Sequence, residues 1–469
     1  MKKNKYRHMK TRLSILITFF VIITSFAQDK KWTLKECVDH ALEHNLSVKR
    51  ASYTTDLRKE DIATSKGNML PGVSASASQN FDFGSFFNRA TNSRVSSDSR
   101  SNRFGLNTQI NLFNGFSNKN NLLQSKASYE ASKLDLEKMK NDISLNIVNS
   151  YLNVLFNKEN LKIAEAQVVI SEQQLSRTKE LVDAGVQPKG NLLEVEATKV
   201  NDENAVVTAE NNLALSLLDL SQLLQIPNQG FDVEEIPVNI SSVALLYNNT
   251  EEIFAKAVES QPEIKSAELA LQNSETGIKI AKADYLPSLS LTAGLSTVYN
   301  HVQGQEDDFF VPVDPINDPQ GPQRLIKNGF FDQLDNNLGE FVGLSLSIPV
   351  FSRGQVEANV NRAKINQEIS QVNLDDSKRA LRESVERAYI NAKATLKEYE
   401  AAEKSVKAQE QSFTFAQERY NLGATNSFDF EQVRNRLVNA QSSLIRAKYN
   451  FVFRTKLLEF YYGIPIVVE

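Results

Sequence analysis

The sequence contains few glycines and prolines, the two residues that most often end a helix. Only 18 of the 469 residues are Gly and 12 are Pro, about half of their combined share in an average protein. Both are absent from four long windows, at 116–184, 191–226, 355–422 and 424–462. Helices of ordinary globular domains average about 11 to 12 residues. Windows of this length therefore predict coiled-coil packing and disfavour a compact enzyme core.

Cysteine and long apolar segments are also scarce. The single cysteine, Cys37, excludes an intramolecular disulfide. An apolar run at 13–26 follows six basic residues and precedes Ala27, which predicts a signal peptide over residues 1–27, with an uncleaved membrane anchor as the alternative. No later apolar run is long enough to span a bilayer as a helix. We therefore expect an exported protein that crosses a membrane, if at all, by strands.

Signatures of catalysis and of nucleic-acid binding are missing as well. The chain has no P-loop, no Gly-x-Ser-x-Gly, no His-Glu-x-x-His and no paired cysteine motif. Without the predicted signal peptide, acidic residues outnumber basic ones, which disfavours binding to nucleic-acid phosphates. We expect no enzyme activity, no cofactor and no nucleic-acid partner.

The rest of the chain contains two copies of one structural unit. Residues 41–71 align with 257–287 at an offset of 216, and the sequence from Phe113 aligns with that from Phe351 at an offset of 238. The change of offset lies in one variable segment of each copy. The expected organisation is a first structural repeat at 28–230, a linker at 231–249 and a second structural repeat at 250–469.

Each repeat contains one predicted strand hairpin, at about 72–113 in the first and about 288–351 in the second. Apolar residues alternate with small or polar ones at 104–112 and 342–350, which is the pattern of a strand. Strands of this length with one apolar and one polar face suit a transmembrane β-barrel, although a soluble half-buried sheet has the same pattern. Four strands per chain cannot close a barrel, so a barrel would have to be shared between chains.

The segments between these strands, at 84–102 and 300–340, are polar. The first is rich in arginine and the second in acidic residues. We expect both to be exposed loops. They are predicted to meet at the outer mouth of a pore, with independent solvated loops as the alternative.

Long helices are predicted on either side of each hairpin, at 34–68, 117–183, 192–225, 250–284, 355–421 and 428–462. The longest helix of each copy has an apolar residue at every seventh position. A strict heptad keeps one face toward a neighbouring helix, so we expect a coiled-coil seam. The seam residues are Ile147, Val154, Leu161, Val168, Leu175 and Val182 in the first copy, and Val385, Ala392, Tyr399, Val406, Phe413 and Tyr420 in the second.

The whole chain after residue 27 resembles the TolC family of outer-membrane export channels. The resemblance is carried in duplicated order by Trp32-Thr33-Leu34, Leu70-Pro71, Leu286-Pro287, the run 347–351, and Arg419-Tyr420 with Gly423. It implies a mainly α fold with a small β part, in which a homotrimer shares a transmembrane β-barrel of four strands per chain and a long coiled-coil α-helical barrel.

The resemblance also implies a function. The chain would be the outer-membrane exit duct of a tripartite efflux pump or a type I secretion system, a passive conduit for drugs, small molecules or polypeptides. Its partners would be a periplasmic adaptor (membrane fusion) protein, an inner-membrane transporter and outer-membrane lipid. The alternative is a structural coiled-coil protein of the envelope without a pore.

The resemblance implies a pore constriction near the periplasmic end. Tyr420 matches the family's gate tyrosine, and Asp429 matches a position where three acidic side chains ring the pore. Asn191 is the counterpart of Asp429 in the first copy, and Thr425 stands where some relatives have an arginine, which argues against a gate closed by charged links. Asp429 has an alternative role as a first-turn acid of a capped helix.

Two glycine-containing turns are the predicted docking tips for the adaptor. We expect the contacts at Gly185 and Val186 in the first turn, and at Gly423 and Ala424 in the second. Both glycines also suit the end of a helix.

One weak candidate for a metal site remains. Cys37, His40 and His44 are spaced to share one helix face and include a soft thiolate and two imidazoles. An ordinary helix face is the alternative.

Overall fold

The structure, a computed structural model, describes residues 31–88, 92–96, 98–235, 249–316, 318–464 and 466. The predicted signal peptide lies outside the described residues. No helix in the described ranges is long and apolar enough to cross a membrane. The chain forms two compact units. Unit 1 comprises the described residues within Met1–Thr55, Ser132–Ala267 and Asn373–Glu469, and unit 2 those within Asp56–Ala131 and Glu268–Val372.

The described part of the chain is mainly α-helical. The helices are α1 (Leu34–His44), α2 (Leu46–Gly67), α3 (Ser117–Asp183), α4 (Lys189–Leu224), α5 (Thr250–Ser260), α6 (Pro262–Ala283), α7 (Phe330–Asn336), α8 (Gln355–Asn421) and α9 (Ser427–Tyr461). The strands are β1 (Lys31–Trp32), β2 (Gly72–Asp82), β3 (Ser85–Asn88), β4 (Ser93–Ser96), β5 (Ser99–Asn114), β6 (Asp232–Val233), β7 (Ser288–Val302), β8 (Phe309–Asp314), β9 (Asp318–Ile326) and β10 (Gly339–Ser347).

The internal duplication is confirmed by matching elements. Helices α3 and α8 both have 67 residues and begin 238 positions apart. Helices α1 and α5 both have 11 residues, and α2 and α6 both have 22, at an offset of 216. The boundaries assigned to the repeats and the linker stay a prediction.

The first helix of each copy is broken, which differs from the single helices predicted at 34–68 and 250–284. Asn45 and Gln261 have extended backbones between the two halves. The Asn45 amide donates to the carbonyl of Leu223 at 3.3 Å, and the Gln261 amide donates to that of Phe460 at 3.3 Å. These bonds satisfy carbonyls at the ends of other helices. In the second copy Pro262 also disfavours a helical backbone at Gln261.

The core of unit 1 is apolar and surrounds one stretch of α3. Its fully buried members include Ile147, Tyr151 and Val154, which pack with Leu220 and Leu224 of α4. Helix α1, Tyr449 of α9 and the short parallel pair of β1 and β6 also contribute to the cluster. The predicted seam is therefore buried in this stretch.

Nearer to its carboxyl end, α3 buries polar residues instead. Leu161, Val168, Leu175 and Val182 of the predicted seam are only half-buried there. Gln167, Ser171, Gln174 and Thr178 are the buried side chains of this stretch. We call these four residues the polar seam. It faces α8 and α9, because Thr178 lies beside Tyr420 and Gln174 bonds to Glu431.

Unit 2 contains a four-stranded antiparallel sheet in the order β10-β7-β5-β2. The predicted hairpins are confirmed, since β2 pairs with β5 and β7 with β10. The two copies join where β5 pairs with β7. Many apolar side chains of the sheet are exposed, including those of Leu106, Leu295 and Leu344.

The segment predicted as a loop at 300–340 is folded, and this expectation was wrong. It contains the β8–β9 hairpin and the short helix α7. Thr297 of β7 donates to the carbonyl of Leu334 at 2.6 Å, and the Phe330 ring lies 4.9 Å from that of Tyr299. The four prolines of the segment interrupt the alternation of apolar and polar residues, so the sequence carries no strand signal there. The first segment likewise contains the short β3–β4 hairpin.

Candidate functional site

The turn between α3 and α4 is built on Gly185. Its φ angle is +73°, a left-handed backbone that favours glycine. The Gly185 amide donates to the carbonyl of Val182 at 3.0 Å, and the Val186 amide to that of Leu181 at 2.8 Å. These two bonds form a Schellman motif, which ends the helix.

The turn between α8 and α9 repeats the same geometry. Gly423 has a φ of +72° and donates to the carbonyl of Tyr420 at 3.1 Å, while Ala424 donates to that of Arg419 at 2.8 Å. An added Cβ at Gly185 or Gly423 would meet nothing within 4 Å. Both turns are therefore open to solvent.

Apolar side chains are exposed at both turns. Val186 is 68% exposed and Leu422 is 84% exposed. Leu193 and Phe428, near the starts of the helices that follow, are also exposed. Ala424 is exposed as well. The four residues predicted as docking tips thus lie on accessible turns with apolar neighbours.

Polar contacts link the α3–α4 hairpin to the α8–α9 hairpin near the turns. Arg177 donates to the side-chain oxygen of Asn421 at 3.0 Å and to its carbonyl at 2.6 Å. Ser427 donates to Glu194 at 2.7 Å. Sequence reasoning missed Arg177 and Asn421, because nothing local marks residues 244 positions apart as partners.

Tyr420 lies near the turns, and its ring packs within the α8–α9 hairpin. The ring stacks on that of Phe430 at 4.9 Å, and its hydroxyl lies 3.5 Å from that of Thr178. Tyr420 is half-buried. The predicted gate tyrosine therefore belongs to the contact between the two hairpins.

Asp429 lies in the first turn of α9 and is exposed. Its backbone amide donates to the Asn426 side chain at 2.8 Å, and the Asn426 amide donates back to its carboxylate at 3.1 Å. This reciprocal pair caps the helix. Asn191 occupies the corresponding turn of α4 and donates through its backbone to Pro188 at 3.1 Å.

A buried group of charges lies further along α9. Arg434 is only 3% exposed, and its guanidinium donates twice to Asp202 of α4, at 2.7 and 3.2 Å. The same guanidinium pairs with Glu431 at 2.8 Å. Burial raises the pKa of Glu431, and Arg434 offsets this only in part. We call Arg434, Asp202 and Glu431 the ion cluster.

The ion cluster was missed from the sequence, although a signal for it exists. Phe430, Arg434 and Leu437 follow the spacing of a buried helix face, and all three are buried. A charged residue at such a position needs a buried partner.

A family model described as outer membrane efflux protein matches residues 37–224 and 254–454. The chain belongs to the outer membrane efflux protein family. This membership confirms the predicted family and places the protein in the outer membrane as an export channel.

Individual relatives of this efflux protein are distant but cover most of its length. Outer membrane protein TolC of Escherichia coli (strain K12) is 23% identical, over 95% of this chain and 84% of the relative. Proteases secretion protein PrtF of Dickeya chrysanthemi is 22% identical, over 94% and 90%.

Solved structures show the same fold. The channel CusC gives a TM-score of 0.75 at 18% identity, covering 94% of this chain and 96% of CusC. The CmeC outer membrane channel of Campylobacter jejuni gives 0.72 at 20% identity, covering 92% and 85%. At these identities the comparison concerns the fold alone.

The weak metal candidate of this efflux protein is divided between two environments. Cys37 is buried in the apolar core of unit 1. The rings of His40 and His44 stack at 4.2 Å, and His40 meets the edge of Trp32 at 5.2 Å. Burial lowers the pKa of His40, and His44 adds to this effect. Within the described ranges, no three His, Cys, Asp or Glu residues are grouped to hold a metal ion.

Proposed function

We propose that the protein is a homotrimeric exit duct, a passive conduit from the periplasmic side to the exterior in a tripartite efflux pump or a type I secretion system. The observation that carries the proposal is the sheet of unit 2. It has exposed apolar side chains, and its outer strands β2 and β10 each have one neighbour within the described residues. Such edges are not tolerated in lipid unless another chain covers them.

The strand directions support closure by identical copies. Because each neighbour in the order β10-β7-β5-β2 is antiparallel, β2 and β10 run in opposite directions. The β2 strand of one copy can therefore pair antiparallel with the β10 strand of the next. Three copies would give twelve strands, with outer-membrane lipid around them.

The two turns suit docking to a periplasmic adaptor. They present the same backbone geometry twice per chain, and apolar side chains surround them. In a trimer this gives six similar sites. We assign the contacts to Gly185, Val186, Gly423 and Ala424, and place an inner-membrane transporter behind the adaptor.

The constriction of the duct is proposed at the same end. Asp429 is exposed there, and three copies would contribute a ring of carboxylates that attracts cations. Tyr420 packs behind this ring, and Asn191 supplies the neutral equivalent from the first hairpin.

Cross-linking from the turns tests the docking. A single cysteine replaces Val186 or Ala424 in a Cys37→Ser background, and a cysteine at Val207 serves as the control. Val207 is an exposed position in the middle of α4. We expect the turn positions, but not the control, to capture a protein that mass spectrometry identifies as the adaptor.

Two outcomes would contradict the proposal. Equal capture at Val207 would argue against docking at the turns. Purified protein that gives no single-channel current in planar bilayers would contradict the duct itself and favour a structural coiled-coil protein.

A further inference from the structure

We infer that Arg434 is a positioning residue of the gate. Through Asp202 it holds the α8–α9 hairpin to the α3–α4 hairpin and limits how far the two hairpins separate when the duct opens. This inference rests on the proposed function, because it concerns the width of the same constriction.

The hairpins bond to each other both near the turns and further along the helices. Near the turns, Arg177 bonds to Asn421 and Ser427 to Glu194. Further from the turns, Arg434 bonds to Asp202. Arg434 lies seven residues after the start of α9, which places it about 10 Å along the helix axis.

The two levels differ in the cost of separation. The bonds of Arg177 and Ser427 are exposed, so water can replace them at little cost. The Arg434 guanidinium is buried and makes two bonds to one carboxylate. Separation would break both of these charge-assisted bonds, which are stronger than bonds between neutral groups and, being buried, are screened less by salt.

On the α3 side of this contact, polar rather than apolar side chains are buried, so apolar packing resists the separation of the hairpins less. The polar seam places Gln167, Ser171, Gln174 and Thr178 there. Side-chain oxygens of Gln167 and Gln174 are buried without a hydrogen-bond partner in the structure. Hydration of such groups on opening is favourable. The two bonds of Arg434 to Asp202 are therefore a stronger link between the hairpins than the bond that Gln174 of the polar seam makes to Glu431.

Opening should then occur in two stages. Loss of the exposed contacts frees the turns and widens the end of the duct as far as the ion cluster permits. Full separation requires the Arg434–Asp202 bonds to break.

The test is a set of single-channel conductance measurements in planar bilayers. Arg177→Ala alone releases the turns and should give a limited rise in conductance. Adding Arg434→Met should raise the conductance about twofold or more above that of Arg177→Ala, because the constriction widens. Arg434→Lys in the same background keeps a charge for Asp202 and should return the conductance toward that of Arg177→Ala.

A matched control comes from the same helix. Arg436 is exposed two residues away, and Arg436→Met with Arg177→Ala should leave the conductance at the level of Arg177→Ala. If Arg434→Met does not assemble, Asp202→Asn replaces it, since the amide is nearly the same size and removes the charge. The same rise is expected.

The outcomes separate the two proposals. Channels whose conductance is the same with and without Arg434→Met or Asp202→Asn would overturn the role of Arg434 and leave the duct intact. No channel activity from the wild type or from Arg177→Ala would instead contradict the duct. A rise with Arg436→Met equal to that with Arg434→Met would also overturn the inference.

Discussion

The Asp429 carboxylate takes part in a helix cap, and we propose a second role for it at the constriction. It accepts a bond from Asn426 at 3.1 Å and is exposed. The sequence suggested both roles as alternatives, and the structure makes them compatible. They can be separated because one depends on charge and the other on hydrogen bonding.

Two substitutions, one at Asp429 and one at Asn426, distinguish the role at the constriction from the role in the helix cap. Asp429→Asn removes the charge and keeps an oxygen that can accept from Asn426, so we expect weaker cation preference and nearly unchanged stability. Asn426→Ala removes the cap and should cost about 1 kcal/mol while ion preference is kept. Reversal potentials across a salt gradient and thermal unfolding measure the two effects. An unchanged reversal potential for Asp429→Asn would exclude the carboxylate ring.

Arg434 shows the limit of sequence reasoning for single residues. Its spacing from Phe430 and Leu437 marks a buried position. The partner, however, lies 232 residues earlier in the chain. Helix periodicity identifies which face is buried but not which side chains from another helix will meet it.

Among the elements, the link from the last strand of each hairpin to the long helix shows how duplication preserves backbone geometry. Gly115 and Phe116 both have positive φ angles, as do Arg353 and Gly354 at the corresponding positions. The glycine occupies the first position in one copy and the second in the other. Their surroundings differ, since a Cβ at Gly115 would lie 2.5 Å from the Ala283 carbonyl and one at Gly354 would meet nothing.

This difference predicts unequal effects of two identical substitutions. Gly354→Ala should cost about 1 kcal/mol, the price of a left-handed alanine. Gly115→Ala should cost about 2 to 4 kcal/mol, because the collision with Ala283 adds to the backbone strain. Thermal unfolding followed by circular dichroism compares them. Equal losses would show that the Ala283 carbonyl moves aside freely.

The helix boundaries were predictable where a local signal ends the helix. Both 67-residue helices have the predicted bounds, because a glycine lies within two residues of each end. The breaks at Asn45 and Gln261 were not predicted. At Asn45 the break depends on a bond to Leu223 in a distant helix, which no window of neighbouring residues contains.

For the whole molecule, the outer strands of the sheet predict how chains associate. We expect a cysteine at Ala75 of β2 to form disulfides with one of the cysteines at Val342, Leu344 or Leu346 of β10 in a Cys37→Ser background. Each molecule would carry one cysteine per strand, so oxidation should link up to three chains. Denaturing gels separate single chains from the disulfide-linked dimers and trimers.

The single-cysteine variants serve as controls for this experiment. Ala75→Cys alone should form no disulfide, because β2 pairs with β10 and not with itself. Dimers from that variant, or no linkage from any pair, would contradict closure through these strands.

The order of amino acids specified the long helices, the strand alternation, the duplication and the family. Each of these is written in local periodicity, in the placement of glycine and proline, or in self-similarity along the chain. Only the tertiary structure showed that α3 buries a polar seam near its carboxyl end, that 300–340 folds against the sheet, and that Arg434 meets Asp202. Those features depend on contacts between residues far apart in the chain, and helix periodicity can mark a buried face but not the partner that meets it.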